Sequence, residues 1–404
     1  MKRLFTLVTI LAFSTGSLFA QTIKTKVLVV GGDASAIGAA IQSARSGVET
    51  LLIEESGQLG KGLTTIDTTR KIGVQGDFIK LIKTASQQIN PNSLDPGAVS
   101  QVLKNWTDTV KNLKVMMNTR IQTVEKSGKG WELRLANKQK LKTDLIVDAA
   151  GNKIISSKYP QVKTQVPFRP INIEDFYKSN LYRTSVAAGA DMSSPLPIGS
   201  FTGADPENLI IFEKNGESSF SPSLTGGQAA GATAAYCAFF KTTTKNINIR
   251  VIQGELLAYK GQLIPFADIN PSDTAFAAVQ RIGATGILKA TALNNKLYFQ
   301  PDSAVTFEEI RQPMRELYSR SQIWFADNKG TTMTLNDILS LIKYSGGRGE
   351  ELNREVEKGW KKSFGFEGEY DLKKTITRLQ TAVLLDAYLK PFHVRVDYTG
   401  KLLY

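Results

Sequence analysis

Residues 24–54 read KTKVLVVGGDASAIGAAIQSARSGVETLLIE, and this stretch decides the fold. Lys24 to Val30 is a β-branched apolar run of the kind buried on both faces of a parallel sheet. It stops at Gly31 and Gly32. Small residues then recur from Ala34 to Ser46, at Ala34, Ala36, Gly38, Ala39, Ala40 and Ala44, and allow a helix to approach the sheet closely. Thr50 to Ile53 is a second strand, followed at once by Glu54. The spacing therefore predicts a strand-turn-helix-strand unit of an α/β domain.

Set against the dinucleotide pattern G-x-G-x-x-G, the turn supplies Gly31, Gly32, Asp33, Ala34, Ser35 and Ala36. Alanine is an accepted substitute in the last position, but aspartate stands where the second glycine should admit a pyrophosphate. The Asp33 charge would oppose phosphate, or its side chain could turn back and cap the helix by accepting a backbone N–H. Glu54 lies 23 residues after Gly31, where an acidic side chain hydrogen-bonds ribose hydroxyls and favours an unphosphorylated ribose. A βαβ unit without nucleotide is the competing reading of this motif taken alone.

Beyond Glu54, residues 56–65 form a glycine-rich loop through Gly57, Gly60 and Gly62, too long for a hairpin turn. With the Gly31 to Ala40 segment, the Gly57 to Gly62 loop resembles the first two motifs of FAD-dependent oxidoreductases with a glutathione-reductase-like flavin domain, in particular their bacterial secreted branch. Later segments extend the likeness. Pro96 to Lys111 has helical spacing; Leu113–Met117, Thr119–Val124, Trp131–Leu135 and Leu141–Val147 read as strands; and Asp148-Ala149-Ala150-Gly151 ends the last of them. The strand ending at Ile211 and the small-residue helix from Gly226 to Ala235 close the series, which covers residues 25 to about 265.

The resemblance implies a Rossmann-like FAD-binding domain of class α/β, a parallel sheet with helices and a small β-meander. It implies FAD contacts at Gly31, Gly32, Ala34, Ser35, Ala36, Glu54, Glu55, Gly60 and Gly62. Ile121 would approach the adenine through its backbone, Asp148 and Gly151 would lie toward the pyrophosphate, and Gly227 and Gln228 would open the helix facing the flavin's pyrimidine ring. A helix start there stabilises negative charge on a reduced flavin.

The chain departs from that pattern on the substrate side. Only about 55 residues separate Asn152 from Asn208, so the substrate segment (about 153–206) is short, and Phe212, Glu213 and Lys214 replace the usual Ala-Gly-Arg turn. The only histidine, His393, lies outside the flavin motifs, so proton transfer falls to Tyr, Lys, Asp or Glu, or to the flavin, and no catalytic residue is assigned. Tyr177, Tyr182, Arg169 and Arg183 could line a pocket, surface placement being the bland reading of each. Cys237, the single cysteine, reads as core. The sequence assigns no metal site.

The chain of 404 residues is 42% hydrophobic and 22% charged, a composition that excludes disordered and collagenous classes. Its net charge of +13 is spread without a run of five like charges or a nucleic-acid module, so nucleic acid is not a partner. Lys2 and Arg3, the apolar run Leu4 to Phe13 and small residues up to Ala20 form a secretory signal, with cleavage expected after Ala20 and export to the periplasm, cell surface or medium. No later stretch is long and apolar enough to span a bilayer. From residue 266 the texture becomes helical. Thr306 with Glu309, Thr334 with Asp337 and Thr377 with Gln380 repeat one helix-entry pattern, suggesting three related modules. The first module, about 265–320, resembles a surface-layer-homology repeat, which implies a surface polysaccharide partner. A helical appendage on the flavin domain is the alternative. The expected organisation is thus a signal peptide (1–20), a flavin domain (21–265) and a helical domain (266–404). The expected function is FAD-dependent oxidation or reduction of a small-molecule or carbohydrate-derived substrate. The alternative is a surface or glycan-binding protein on a catalytically degenerate flavoprotein scaffold.

Overall fold

The computed structural model describes residues 22–404 except 70, 86–89, 91, 150–152, 170, 189–194, 215–216 and 219–222. The expected signal peptide and Gly151 therefore lie outside the described residues. Among the described residues, no helix is long and apolar enough to cross a membrane.

The amino-terminal half runs β1 (Ile23–Val30), α1 (Ala34–Arg45), β2 (Thr50–Ile53), α2 (Gly73–Ala85), α3 (Pro96–Thr109), β3 (Leu113–Met116), β4 (Ile121–Ser127), β5 (Gly130–Leu135) and β6 (Lys140–Asp148). It continues through α4 (Lys153–Lys158), short strands β7 (Lys163–Thr164), β8 (Ser185–Ala188), β9 (Pro195–Pro197) and β10 (Gly203–Asp205), and β11 (Leu209–Ile211). The main sheet has the order β3-β2-β1-β6-β5-β4, and β11 also pairs with β6. The pairs β3-β2, β2-β1, β1-β6 and β6-β11 are parallel, whereas β4-β5-β6 is antiparallel. The long strand β6 makes this mixture. On one edge its first half carries the meander, from Lys140 to Thr143, and its last three residues carry β11.

Alternation along β1 divides the core. Val27 and Val29 face one layer with Leu52, Leu145 and Val147, covered by α1 and by α5 (Leu224–Phe239). Leu28 and Val30 face the other with Leu51, Ile53, Ile146 and the meander residues Val124, Trp131 and Leu133. Burial on both faces is why these strands read as unbroken apolar runs. The fold is a Rossmann-like α/β sheet joined to a helical carboxy-terminal region.

That region contains α6 (Ile249–Ala258), α7 (Phe276–Thr285), α8 (Phe307–Leu317), α9 (Ser321–Asp327), α10 (Leu335–Gly346), α11 (Glu351–Gly359) and α12 (Arg378–Tyr388). All three expected helix entries form. Thr306 accepts from Glu309 N at 3.1 Å, Thr334 from Asp337 N at 3.2 Å and Thr377 from Gln380 N at 3.2 Å. The residues before these caps close a three-membered ring. Val305 N donates to Ile376 O (3.2 Å), Ile376 N to Met333 O (3.1 Å) and Met333 N to Val305 O (2.8 Å). All three side chains are buried, so three backbone donors and three acceptors in a dry centre satisfy one another. One apolar core runs from α1 and α5 into α7, α8, α10 and α12, so packing is continuous across residue 265.

Candidate functional site

The carboxyl ends of β1, β2, β6 and β11 meet at one edge of the sheet, where Gly31, Glu54, Asp148 and Phe212 follow or end the strands. Crevices at this edge are where open α/β sheets bind ligands. Two helix N-termini converge on it. Ser223, the cap of α5, donates its N–H to Ser35 Oγ in the first turn of α1 at 3.0 Å. The helices can approach because glycines lie at the crossing. A Cβ on Gly227 would stand 2.1 Å from Ser35 O, and one on Gly38 would stand 2.3 Å from Leu224 O.

Asp33 caps α1 with its own carboxylate, accepting the Ala36 N–H at 2.8 Å and also the Ser35 N–H. The capping alternative of the sequence is therefore the one adopted. Burial, reinforced by Glu54, pushes the Asp33 carboxyl up to about 6, although the two backbone donors pull the other way. The protein thus places a charge of its own where two N–H groups would otherwise greet a phosphate.

Glu54 follows β2 and lies beside the same turn. Its Oε1 accepts the Ser56 N–H at 2.8 Å, and a Cβ on Gly32 would come within 2.7 Å of Oε2. Glycine at position 32 lets this carboxylate sit close beside the β1-α1 turn, where a larger residue would require the Glu54 side chain to shift. The following loop is tied down by Gly60, whose N–H donates to Gly32 O at 2.5 Å. Gly60 has φ +74 and packs against Val99 and Leu103, while Gly62 is exposed with open space around it. Gly31, Gly32, Ala34, Ser35, Ala36, Glu54 and Gly60 are thus brought to one turn.

The other expected contacts have the following surroundings. The Glu55 side chain is exposed and pairs with Arg120 at 3.2 Å. Ile121 is buried in the meander core, opposite Leu135. Asp148 is buried, with its carbonyl accepting from Phe212 N at 3.2 Å between β1 and β11. Gln228 is committed to helix packing. Its Oε1 accepts from Val74 N at 3.2 Å, and its Nε2 donates to Gln42 Oε1 at 2.9 Å. The start of α5 approaches the crevice through Ser223 rather than through that amide. The Ser223-x-x-Gly226 cap, closed by Gly226 N on Ser223 Oγ at 3.0 Å, was the available sequence signal.

In the substrate segment, Arg169 is exposed, as expected of surface placement, whereas Tyr177 is half-buried and Tyr182 and Arg183 are buried. Tyr177 packs edge-on and Tyr182 at a tilt against Phe176, and the buried Arg183 pairs with Glu316 at 2.8 Å. They seal the seam with the carboxy-terminal helices. Cys237 is buried, and desolvation pushes its thiol up to about 12, so it is an inert core side chain at neutral pH. Among the described residues, no three His, Cys, Asp or Glu side chains converge on a metal position.

The family model described as FAD dependent oxidoreductase matches residues 26–156, about a third of the chain. No curated protein matches. Among solved structures, a bacillithiol disulfide reductase from Staphylococcus aureus is 18% identical over 36% of this chain and 42% of its own, with a TM-score of 0.26. A flavin monooxygenase from Stenotrophomonas maltophilia is 15% identical over 31% and 38%, with a TM-score of 0.24. An oxidoreductase from Agrobacterium tumefaciens is 13% identical over 37% and 40%, with a TM-score of 0.23. The chain spans less than half the length of each of these structures.

Proposed function

We propose that the chain is an exported FAD-dependent oxidoreductase that binds the cofactor in the crevice between the α1 and α5 N-termini. The observation that carries this reading is the agreement of the family match over residues 26–156 with the geometry at Gly32 and Glu54. Glu54 keeps Oε1 on Ser56 N and offers Oε2 to a ribose hydroxyl. Gly31 and Gly32 leave the backbone bare beside it, and the neutral Ser223 cap leaves α5 as the start of a helix dipole near the flavin end. When bound, FAD supplies the hydride-transfer chemistry. The substrate is a small molecule or a carbohydrate derivative.

Asp33 favours a second reading, in which the scaffold is degenerate, turnover is lost and the helical region holds the protein on a surface polysaccharide. Its carboxylate takes the N–H groups of Ser35 and Ala36. The visible spectrum of the purified protein separates the two readings. Flavin bands at about 450 nm support the first. A colourless protein that added FAD does not reconstitute supports the second, and retention of the full chain on surface polysaccharide would strengthen it.

A further inference from the structure

A cleft of about 460 Å³ opens where α6, α7 and α12 meet, far along the chain from the nucleotide turn. Asn248, Arg250, Arg281, Asp386, Lys390 and His393 line it. Three cationic residues and one carboxylate therefore line it, and the chain's only imidazole stands beside them.

Arg250 is the unusual member. It is buried, yet among the described residues no carboxylate pairs with it. Nε donates to Val394 O (3.2 Å), Nη1 to Arg183 O (3.2 Å) and Gln253 Oε1 (2.8 Å), and Nη2 to Ala284 O (3.2 Å). Burial and the neighbouring Arg183 lower its pKa to about 9. Carbonyl dipoles satisfy its hydrogen bonds, but they do not neutralise its charge, and a desolvated cation without a counter-ion is costly to maintain. Arg281 and Asp386 neutralise each other through Nε and Nη2 at 2.6–3.0 Å, which leaves Arg281 Nη1 uncommitted among the described residues. Lys390 sits just past α12 with φ +54, a conformation in which glycine is the unstrained choice. Its ammonium adds positive charge to the same cleft.

We propose that this cleft binds a small molecule through a multivalent oxyanion, a phosphoryl or carboxylate group that supplies the missing counter-charge. Its volume lies within the range of small-molecule sites, and Val251 and Phe392 provide an apolar wall for the carbon skeleton. The site is independent of FAD.

The single histidine is a built-in reporter, because its ring resonances in a proton NMR spectrum of the full chain need no assignment. Titration at fixed pH with inorganic phosphate, and separately with citrate, is expected to move the His393 signal saturably. A response to phosphate alone assigns a phosphoryl group, and a response to citrate alone assigns carboxylates. Lys390→Gln, an exposed change that spares the Arg250 hydrogen bonds, should weaken binding about tenfold, the value of one charge-assisted hydrogen bond. The proposal is overturned by signals that move no more than with sodium chloride at matched ionic strength, or by equal binding to the Lys390→Gln protein.

Discussion

The two helix N-termini at the sheet edge are capped in different ways. Ser223 caps α5 with a neutral hydroxyl on Gly226 N, whereas Asp33 caps α1 with a carboxylate on Ala36 N. Both choices satisfy the orphan N–H groups of a first turn. Only the first leaves the positive end of the helix dipole unneutralised by the protein's own charge. The contrast teaches that the shape of a nucleotide crevice and its charge are separable. Gly32, Gly38 and Gly227 keep the shape, while Asp33 alters the charge at the phosphate position.

The largest effect is expected from forcing the two helices apart. Gly227→Val would drive a branched side chain into Ser35 O and should lower stability by about 3 kcal/mol or more, read as a lost or shifted thermal transition. A wild-type melting curve would show that the helices do not cross as described. Next in size, Glu54→Ala should weaken FAD affinity by about 1.5–3 kcal/mol, the value of a charge-assisted hydrogen bond, in a fluorescence titration. Unchanged affinity would remove the ribose from Glu54.

The charge at Asp33 also predicts a pH dependence. Its folded pKa of about 6 lies above the ordinary 3.8, so its contribution to stability is fully present below about pH 4 and lost as pH rises through about 6. Asp33→Asn keeps a capping oxygen and removes the charge. It should raise stability at pH 7 by about 1–2 kcal/mol, and in denaturant melts that gain should vanish near pH 4. An equal gain at both pH values would place the effect elsewhere. The smallest effect is in the carboxy-terminal ring, where Thr334→Ala should cost about 1 kcal/mol in denaturant melts through loss of the α10 cap. No change would mean that the Met333 hydrogen bonds hold that entry without it.

The unit from β1 to β2 was legible because strands buried on both faces are apolar without alternation, and because Gly31 and the alanines of α1 leave few other readings. The cap at Asp33 was also readable, since it depends on Ala36 three residues on, and Glu54 was readable as the residue that follows the apolar run of β2. Gln228 was not. Its partners, Gln42 and Val74, lie more than 150 residues earlier, and an amide next to Gly227 looks the same in sequence whether it meets a ligand or a helix. The burial of Arg183 and Arg250 was hidden for a related reason, because their partners include main-chain carbonyls that leave no trace in composition. In the helical region the three threonine entries were readable from local spacing. The ring joining Val305, Met333 and Ile376 was not, since only the backbone pairs them.

The most direct test of a nucleotide crevice burdened by one charge is an FAD titration of the wild-type protein beside Asp33→Gly, which restores the second glycine and costs the helix cap only a few tenths of a kcal/mol. Both proteins are expected to take up FAD with absorbance at about 450 nm. The variant should bind at least about tenfold more tightly, the value of one relieved charge. Failure of both proteins to bind FAD, or equal affinity in the two, would contradict a nucleotide crevice in which Asp33 opposes the phosphates.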